Sequence, residues 1–403
     1  MLLLVAWRNL WRNRTRSLLI LLSVAVGIWA GAFIMAIYFG MGKSRLRIAI
    51  DNEVSHLQVH HPKFQDDQEA VFSFREDSLR SILEKQPLVK SFSLRTVAPG
   101  MLANASGSQG IQINGVVAAE EDSTRALHTF LVEGEYLNPD EKNRILIGRK
   151  LAKKLNIPVK GKVVLTLLDT ADNITAAAFR VIGIYETQNA PKDEVTAFVL
   201  KKDLDRLIGT EGRAHEAAVL LKNDEDLDAA FADLKTALPA LKVETWEEIS
   251  PETALVVSSL DTYNLIFIAI ILLALSFGIV NTMLMAVLER MREIGVLMAL
   301  GMSRLRLFGM ILLETVLLTI VGAPLGIFAA YATVAWVGRV GIDFSKIAGD
   351  TLKDFGYAAV IYPELPFYSV GQVMYLVFIA ALLSALYPAW KAIRLHPVEA
   401  IRS

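Results

Sequence analysis

The chain has no cysteine among its 403 residues. This excludes disulfides, thiol chemistry and any cysteine-based metal site, so the fold must hold by its core alone. It also lacks a G-x-x-x-x-G-K-[ST] loop, the backbone cradle for nucleotide phosphates, which argues against ATP hydrolysis by this polypeptide. Histidine is scarce, with six in total. His56, His60 and His61 cluster, and His56 and His60 could line one side of a strand, but no third ligand at metal-binding spacing accompanies them. No Ser/His/Asp arrangement or carboxylate pair marks a hydrolase, and there is no internal repeat or low-complexity tract. The net charge of −1 gives no bulk bias toward nucleic acid. The basic run Lys150–Lys162 reads as a solvated helix face.

Four long apolar stretches are present, at Leu18–Phe39, Leu265–Leu288, Leu307–Trp336 and Val370–Trp390. Each reaches the ~20 residues that cross ~30 Å of hydrocarbon as a helix, the form in which a segment satisfies its own backbone in lipid. The first run is longer than the roughly 7–15 residues of a signal peptide and no A-x-A site ends it, so it reads as a retained span. The expected organisation is a membrane protein with four transmembrane helices and a large α+β extracytoplasmic domain inserted between helices 1 and 2. Its parts are an interfacial helix over 1–17, a first span over 18–39 and the domain over 40–260. A second span over 261–288, an inner loop over 289–306 and a third span over 307–336 follow. An outer loop over 337–369, a fourth span over 370–390 and a tail over 391–403 complete the chain.

Charge sets the expected orientation. The first 16 residues, the 289–306 loop and the tail together hold 11 basic and 3 acidic residues, whereas 41–260 holds 27 basic and 33 acidic. The positive-inside bias therefore places both termini and the 289–306 loop in the cytoplasm, and the large domain outside. Trp7 and Trp11, with Arg8 and Arg12, suit a helix lying on the inner membrane surface.

Within the domain, alternating or β-branched runs predict strands at His56–His60, Phe92–Val97, Ile111–Val117, Arg144–Ile147, Val163–Leu168, Phe179–Tyr185, Thr196–Leu200 and Ala217–Leu221. Helices are expected at Ser78–Lys85, Lys150–Leu155, Lys202–Leu207 and Asp224–Leu238. This mixture suggests an α+β domain of two lobes, with Phe64–Phe74 as a polar link. Thr253–Leu275 reads as one helix that starts outside the bilayer and continues into the second span.

The inner loop carries the strongest local signal, with Glu289, Arg290, Arg292, Glu293, Ile294, Gly295, Leu297, Ala299 and Gly301 in a charged turn followed by a short apolar helix. Gly301 ends that helix and Ser303 opens the next. A short apolar helix facing the cytoplasm needs a partner groove. In the spans, Gly322 and Gly326 form a small-xxx-small pair with Pro324 between them. Asn281 is expected to hydrogen-bond across helices. Glu314 is expected to pair with Arg304 or Arg306 near the inner interface.

The loop resembles the E-R-x-R-E-I-G-x-x-x-A-x-G of permeases of the FtsX/MacB superfamily, the membrane subunits of type VII ABC transporters. Tyr387-Pro388-Ala389-Trp390-Lys391-Ala392 and His396-Pro397-Val398-Glu399-Ala400-Ile401-Arg402 resemble the family's ending. Val132-Glu133-Gly134-Glu135-Tyr136, Ile147–Leu155, Phe179–Ile184 and Thr245-Trp246 resemble its MacB-like periplasmic core. The resemblance implies a permease dimer, from a second copy or a paralogue, working with two ABC ATPase subunits. The inner-loop residues named above would then be the ATPase-coupling set. This chain would bind no cofactor, ATP and Mg²⁺ being held by the partner. Within the family the chain looks closest to lipoprotein-releasing permeases of the LolC/LolE type in the bacterial inner membrane. That implies lipoprotein or other lipid-like cargo, contact with membrane lipids, a periplasmic carrier or adaptor, and no nucleic acid. One departure is visible. Where the carrier-recruiting subunits bear a proline-containing hook, Asp169-Thr170-Ala171-Asp172-Asn173-Ile174 reads as a plain hairpin turn.

Overall fold

The computed structural model describes residues 14–394. The expected interfacial helix up to residue 13 and the His396–Arg402 ending lie outside the described residues. The chain divides into two compact units. One comprises residues up to Gly42, Ser258–Ile342 and Ile361 onward, and the other comprises Lys43–Val257 and Asp343–Val360.

The first unit is built on four helices, Arg14–Ile48, Pro251–Glu289, Arg304–Val340 and Phe367–Ile393. All are long and apolar enough to cross a membrane. Each extends beyond the apolar run that marks it in the sequence, because propagation adds one backbone hydrogen bond per residue and no breaker intervenes. Pro324 lies inside the third helix, which runs on without a break. Val24, Ile28, Met35, Ile279, Met283, Ile311, Ile327 and Ala381 share one buried cluster, while Leu22, Leu265, Ile270, Phe277, Phe328 and Trp336 are exposed. An apolar exterior around an apolar core is what hydrocarbon solvent allows, because packing rather than water exclusion then holds the helices. Small residues supply that packing. A Cβ at Gly326 would lie 2.5 Å from the Ala25 carbonyl oxygen, and one at Gly31 would lie 2.7 Å from Ile271.

The second unit is an α+β domain. Its main strands are β1 (Leu57–His60), β2 (Val89–Asn104), β3 (Gly107–Val116), β4 (Leu131–Gly134), β5 (Arg144–Gly148), β6 (Lys162–Leu168), β7 (Ile174–Tyr185), β8 (Thr196–Leu200), β9 (Glu216–Leu221) and β10 (Lys242–Thr245). All eight sequence-expected runs fall on strands, with His56 and Val117 each one residue outside. Neighbour order is β10-β1-β9-β2-β3-β8-β5-β7-β4, and β6 joins β7 back to β2. Strands β2, β3, β8, β5, β7 and β6 therefore close into a six-stranded ring, filled by Leu102, Ile113, Ile145, Ile147, Val163, Leu165, Phe179, Val181 and Val199.

The 16-residue β2 serves both lobes. Its second half pairs with β3 and β6 inside the ring, and its first half pairs with β9 in an open antiparallel sheet, β10-β1-β9-β2. Helices Glu76–Leu83 and Leu227–Ala237 bury Leu79, Leu83, Ala230 and Leu234 against one face of that sheet. The β6–β7 connection is a plain hairpin, with Leu168 opposite Ile174 and the Asp169 carboxylate accepting from the amides of Ala171 and Asn173. Phe64–Phe74, read above as a polar link, contains a helical turn at Phe64–Asp67, with Phe64 buried. Residues Asp343–Val360, read above as part of a separate outer loop, belong to this domain. Their helix Ser345–Asp354 brings Lys353 to Glu186 at 2.7 Å and Asp354 to Lys150 at 3.1 Å.

Candidate functional site

The four-helix unit offers one site built from the charged loop. The second helix ends at Glu289, and Met291–Ala299 forms a separate short helix. Gly301 (φ +93°) closes it, donating from its amide to the Met298 carbonyl, and Met302 donates back to Leu297. Only glycine adopts that φ without strain, so the helix stops there. Ser303 occupies the N-cap of the next helix with its backbone alone. Its carbonyl accepts from Arg306 and Leu307, while its side chain makes no cap bond.

Arg290 anchors the short helix. Its Nη1 donates to both Glu314 oxygens at 3.2 Å, and its Nε lies 3.6 Å from Glu293. The sequence expectation that Glu314 pairs with Arg304 or Arg306 is thereby corrected. Those two arginines are exposed, while Glu314 is buried at 4% exposure against the loop's own arginine. One guanidinium nitrogen shared between both carboxylate oxygens ties the short helix to the third helix through a buried charge pair.

Ile294 and Gly295 are buried, and Leu297 is half-buried. Glu289, Arg292, Glu293, Ala299 and Gly301 are exposed. Val296 (47% exposed), Leu300 (80%) and Leu305 (84%) leave apolar surface uncovered. A cavity of about 490 Å³ lies beside the helix, lined by Met283, Val287, Ile294, Leu297, Met302 and Met310. Sequence reading included Leu297 and missed Leu300 and Leu305, whose exposure only the helix phase reveals.

The spans show how small residues act. Cβ atoms at Gly322 and Gly326 would run into Val24 and the Ala25 backbone of the first helix. Asn281 is exposed on the unit's exterior and its side chain makes no hydrogen bond with another described residue, which corrects the expected cross-helix bond. A groove of about 310 Å³ runs between the first and second helices, lined by Gly27, Gly31, Ile34, Ile271, Leu275 and Gly278.

The extramembrane domain carries a second constellation that the sequence did not disclose. One face of the open sheet aligns His60 with Glu216 and Glu216 with Arg95 across adjacent strands. Arg95 is 1% exposed and bridges Glu121 at 2.8 Å and Glu216 at 2.5 Å. Burial works against every charge here, but compensation decides the direction. Arg95, with His60 behind it, holds the Glu216 carboxyl well below the usual range. Arg95 and Arg125 likewise keep the Glu121 carboxyl low. Burial opposes the charge on His60, but the Glu216 and Glu244 carboxylates, 3.6 and 3.3 Å from its ring nitrogens, outweigh it and raise its pKa. His215 has no such carboxylate partner, and burial pushes it down to about 4. Burial pushes Asp193 up to about 6 although Thr187 donates to it twice. The face opens on a cavity of about 240 Å³ lined by Glu53, Gln58, Arg125, Lys192, Asp193 and Glu216.

The three clustered histidines separate. His56 meets Asp224, His60 meets Glu216 and Glu244, and His61 stacks on Phe72. The basic helix Arg149–Lys154 is met by Glu194, which lies 2.5 Å from Lys154.

Four membrane-length helices with a large domain inserted after the first define a multi-pass membrane protein with an extracytoplasmic domain. The MacB-like periplasmic core domain matches residues 17–237, and the FtsX-like permease C-terminal domain matches residues 265–397. The chain belongs to the FtsX/MacB family of ABC transporter permeases.

Among relatives, an uncharacterized ABC transporter permease of Methanocaldococcus jannaschii is 25% identical over 67% of this chain and 65% of its own length. The lipoprotein-releasing system transmembrane protein LolC of Neisseria meningitidis is 25% identical over 97% of this chain and 95% of its own. The macrolide export ATP-binding/permease protein MacB of Hahella chejuensis is 26% identical over 98% of this chain but only 59% of its own length.

Proposed function

We propose that this permease extracts lipid-modified proteins from the outer leaflet of a bacterial inner membrane and passes them to a periplasmic carrier. It works as a dimer, with itself or a paralogue, driven by two ATPase subunits that hold ATP and Mg²⁺. Both termini and the short helix Met291–Ala299 face the cytoplasm, and the large domain faces the periplasm. In this reading Glu289, Arg290, Arg292, Glu293, Ile294, Gly295, Leu297, Ala299 and Gly301 form the coupling element. The exposed Val296 and Leu300 seat in a groove of the ATPase. Gly322, Pro324, Gly326 and the Arg290–Glu314 pair hold the helices that carry it.

The observation that carries the cargo assignment is the groove between the first and second helices. Its lining is mostly apolar, with the hydroxyls of Ser23 and Thr282 as its polar side chains, and neither it nor the flanking exposed residues Leu22, Val26, Ile270 and Phe277 carry charge. Such a surface suits acyl chains and offers no charged group to a hydrophilic solute.

A second reading, an efflux or mechanotransmission permease acting on periplasmic cargo or a cell-wall hydrolase, is favoured by the β6–β7 hairpin. It is short and has no proline-bearing hook. Purification in mild detergent from native cells, with mass spectrometry of what is retained, separates the two. An ATPase with diacylated or triacylated lipoproteins supports lipoprotein release. An ATPase with an adaptor or hydrolase and no lipoprotein supports the second reading.

A further inference from the structure

The first long helix passes Gly42 without a break and reaches Ile48, where it gives way to a π-helical turn over Ala49–Val54. Such turns are rare and are found disproportionately at functional positions. The second long helix begins at Pro251. Both ends fall in the extramembrane unit, where Ile50, Val54, Leu220 and Trp246 form a small core of their own with Leu46, Ala254 and Val257 against it.

Arg45 lies at the centre of this junction and is 8% exposed. Its Nη1 donates to Glu53 Oε1 at 3.0 Å, and its Nη2 donates to Thr253 Oγ1 at 2.9 Å. Thr253 is fully buried, and its hydroxyl also meets Ser250 Oγ at 2.8 Å. The same Glu53 oxygen accepts from Asn189 Nδ2 at 2.9 Å, and the Glu53 carbonyl accepts from Arg125. Asn189 in turn caps the helix Ala190–Val195. A Cβ on Gly356 would lie 3.3 Å from Arg45 Nε and 3.6 Å from Asn189 Nδ2, so the Asp343–Val360 segment packs against the guanidinium. One side chain thus touches the end of the first helix, its terminal turn, the start of the second helix and the segment that precedes the fourth.

A buried ion pair is a poor way to gain stability, since apolar residues of similar volume often do as well. What a guanidinium adds is geometry, because its two Nη groups fix the relative orientation of two acceptors. We propose that Arg45 is a positioning residue that clamps the extramembrane ends of the first and second long helices, through Glu53 and Thr253, so that they move as one body. The role of that clamp rests on the ATP-driven permease reading. With the clamp closed, a displacement of either helix is delivered to the domain as a single motion. With it open, each helix end can shift alone.

The test uses the full chain in nanodiscs and the variants Thr253→Val and Thr253→Ser, with Arg45→Met as the harsher change. Thr253→Val removes the acceptor for Arg45 Nη2, and with it the hydroxyl contact to Ser250, but leaves the Arg45–Glu53 pair in place, so it should disturb the fold less than Arg45→Met. Hydrogen exchange of the permease alone is read first. Thr253→Val should speed amide exchange about tenfold in residues 43–54 as well as in 250–257, and Thr253→Ser should restore both. Faster exchange confined to 250–257, with 43–54 unchanged, overturns the clamp.

With the partner ATPase added, Thr253→Val should keep basal ATP hydrolysis within about twofold of wild type and lower cargo release per ATP about fivefold or more. Unchanged release per ATP overturns the coupling role. If the unmodified complex releases no lipoprotein, the cargo assignment fails, while the exchange result still decides the clamp.

Discussion

The two units bury their interiors by opposite means. Among the four long helices, contact is made by removing side chains, as where Gly326 lets the Ala25 backbone approach and Gly31 admits Ile271. In the extramembrane domain, contact across the open sheet is made by large charged side chains, with Arg95, Glu121 and Glu216 almost wholly withdrawn from water. In hydrocarbon there is no water to expel, so close backbone approach is the main source of attraction. In the domain an apolar core already supplies cohesion, so a buried charge network can serve to fix strand register.

That contrast yields four predictions. The largest effect should come from Arg95→Met. It strands Glu121 and Glu216 without their shared cation and should cost the domain about 3–5 kcal/mol. Adding Glu121→Gln and Glu216→Gln should recover much of the loss. Chemical denaturation followed by tryptophan fluorescence measures both, and a loss under 1 kcal/mol for the single variant would mean the network is ornamental.

Next is Gly326→Val, which drives a branched side chain into the Ala25 carbonyl and should cost the helical unit about 3 kcal/mol or more. Gly371→Val is the control, since a Cβ there meets nothing within 4 Å. Thermal unfolding in detergent should separate them by many degrees, and equal behaviour would show that the helices do not need that approach.

Third is a pH effect confined to the domain. The Asp193 carboxyl is raised to about 6 in the folded chain from an ordinary 3.8. A raised carboxyl contributes stability that is present below pH 3.8 and lost as pH climbs through 6. From this group alone, stability should therefore fall between pH 4 and 7 by at most roughly 3 kcal/mol. Asp193→Asn should flatten that part of the profile. A wild-type profile indistinguishable from that of Asp193→Asn across this window would refute the assignment.

The smallest effect on stability is expected from Leu300→Asp on the short inner helix. Leu300 is 80% exposed, so the fold should lose less than about 0.5 kcal/mol. Retention of the ATPase in a pull-down should nevertheless fall sharply. Undiminished retention would remove Leu300 from the coupling surface.

How far the sequence discloses these features follows from the range of the forces involved. Period-two patterns in Val163–Leu168 and Phe179–Tyr185 are local, and both segments are strands. The four spans are legible for the same reason, since hydropathy is a local sum. Closure of the ring is not legible, because nothing in β2 states that its first half pairs with β9 and its second half with β3 and β6. Strands β4 and β10 carry little local signal, since β4 is mostly exposed and β10, Lys242–Thr245, has Val243 as its one apolar residue. The Arg95 network and Arg45 were missed for a different reason. Arginine and glutamate are expected at the surface, and burial by a distant partner leaves no mark on neighbouring residues. At the inner loop, the family motif identified the segment, but only the helix phase separated Ile294, which is buried, from Leu300, which is not.

Closure of the ring has a consequence for crowding. A permease held in a membrane meets other copies at high local concentration and in a fixed orientation, conditions that favour strand-to-strand recruitment between neighbours. Among the described residues the strand path ends on β4 and β10, four residues each, while the outer edge of the first half of β2 meets the helix Ala118–Arg125, whose Glu120 carboxylate accepts from the Leu94 amide. Edges that short offer too few unpaired amides to template another chain. Joining β6 to both β2 and β7 therefore does more than complete a core, since it protects a crowded population of these domains from aggregation through their sheets.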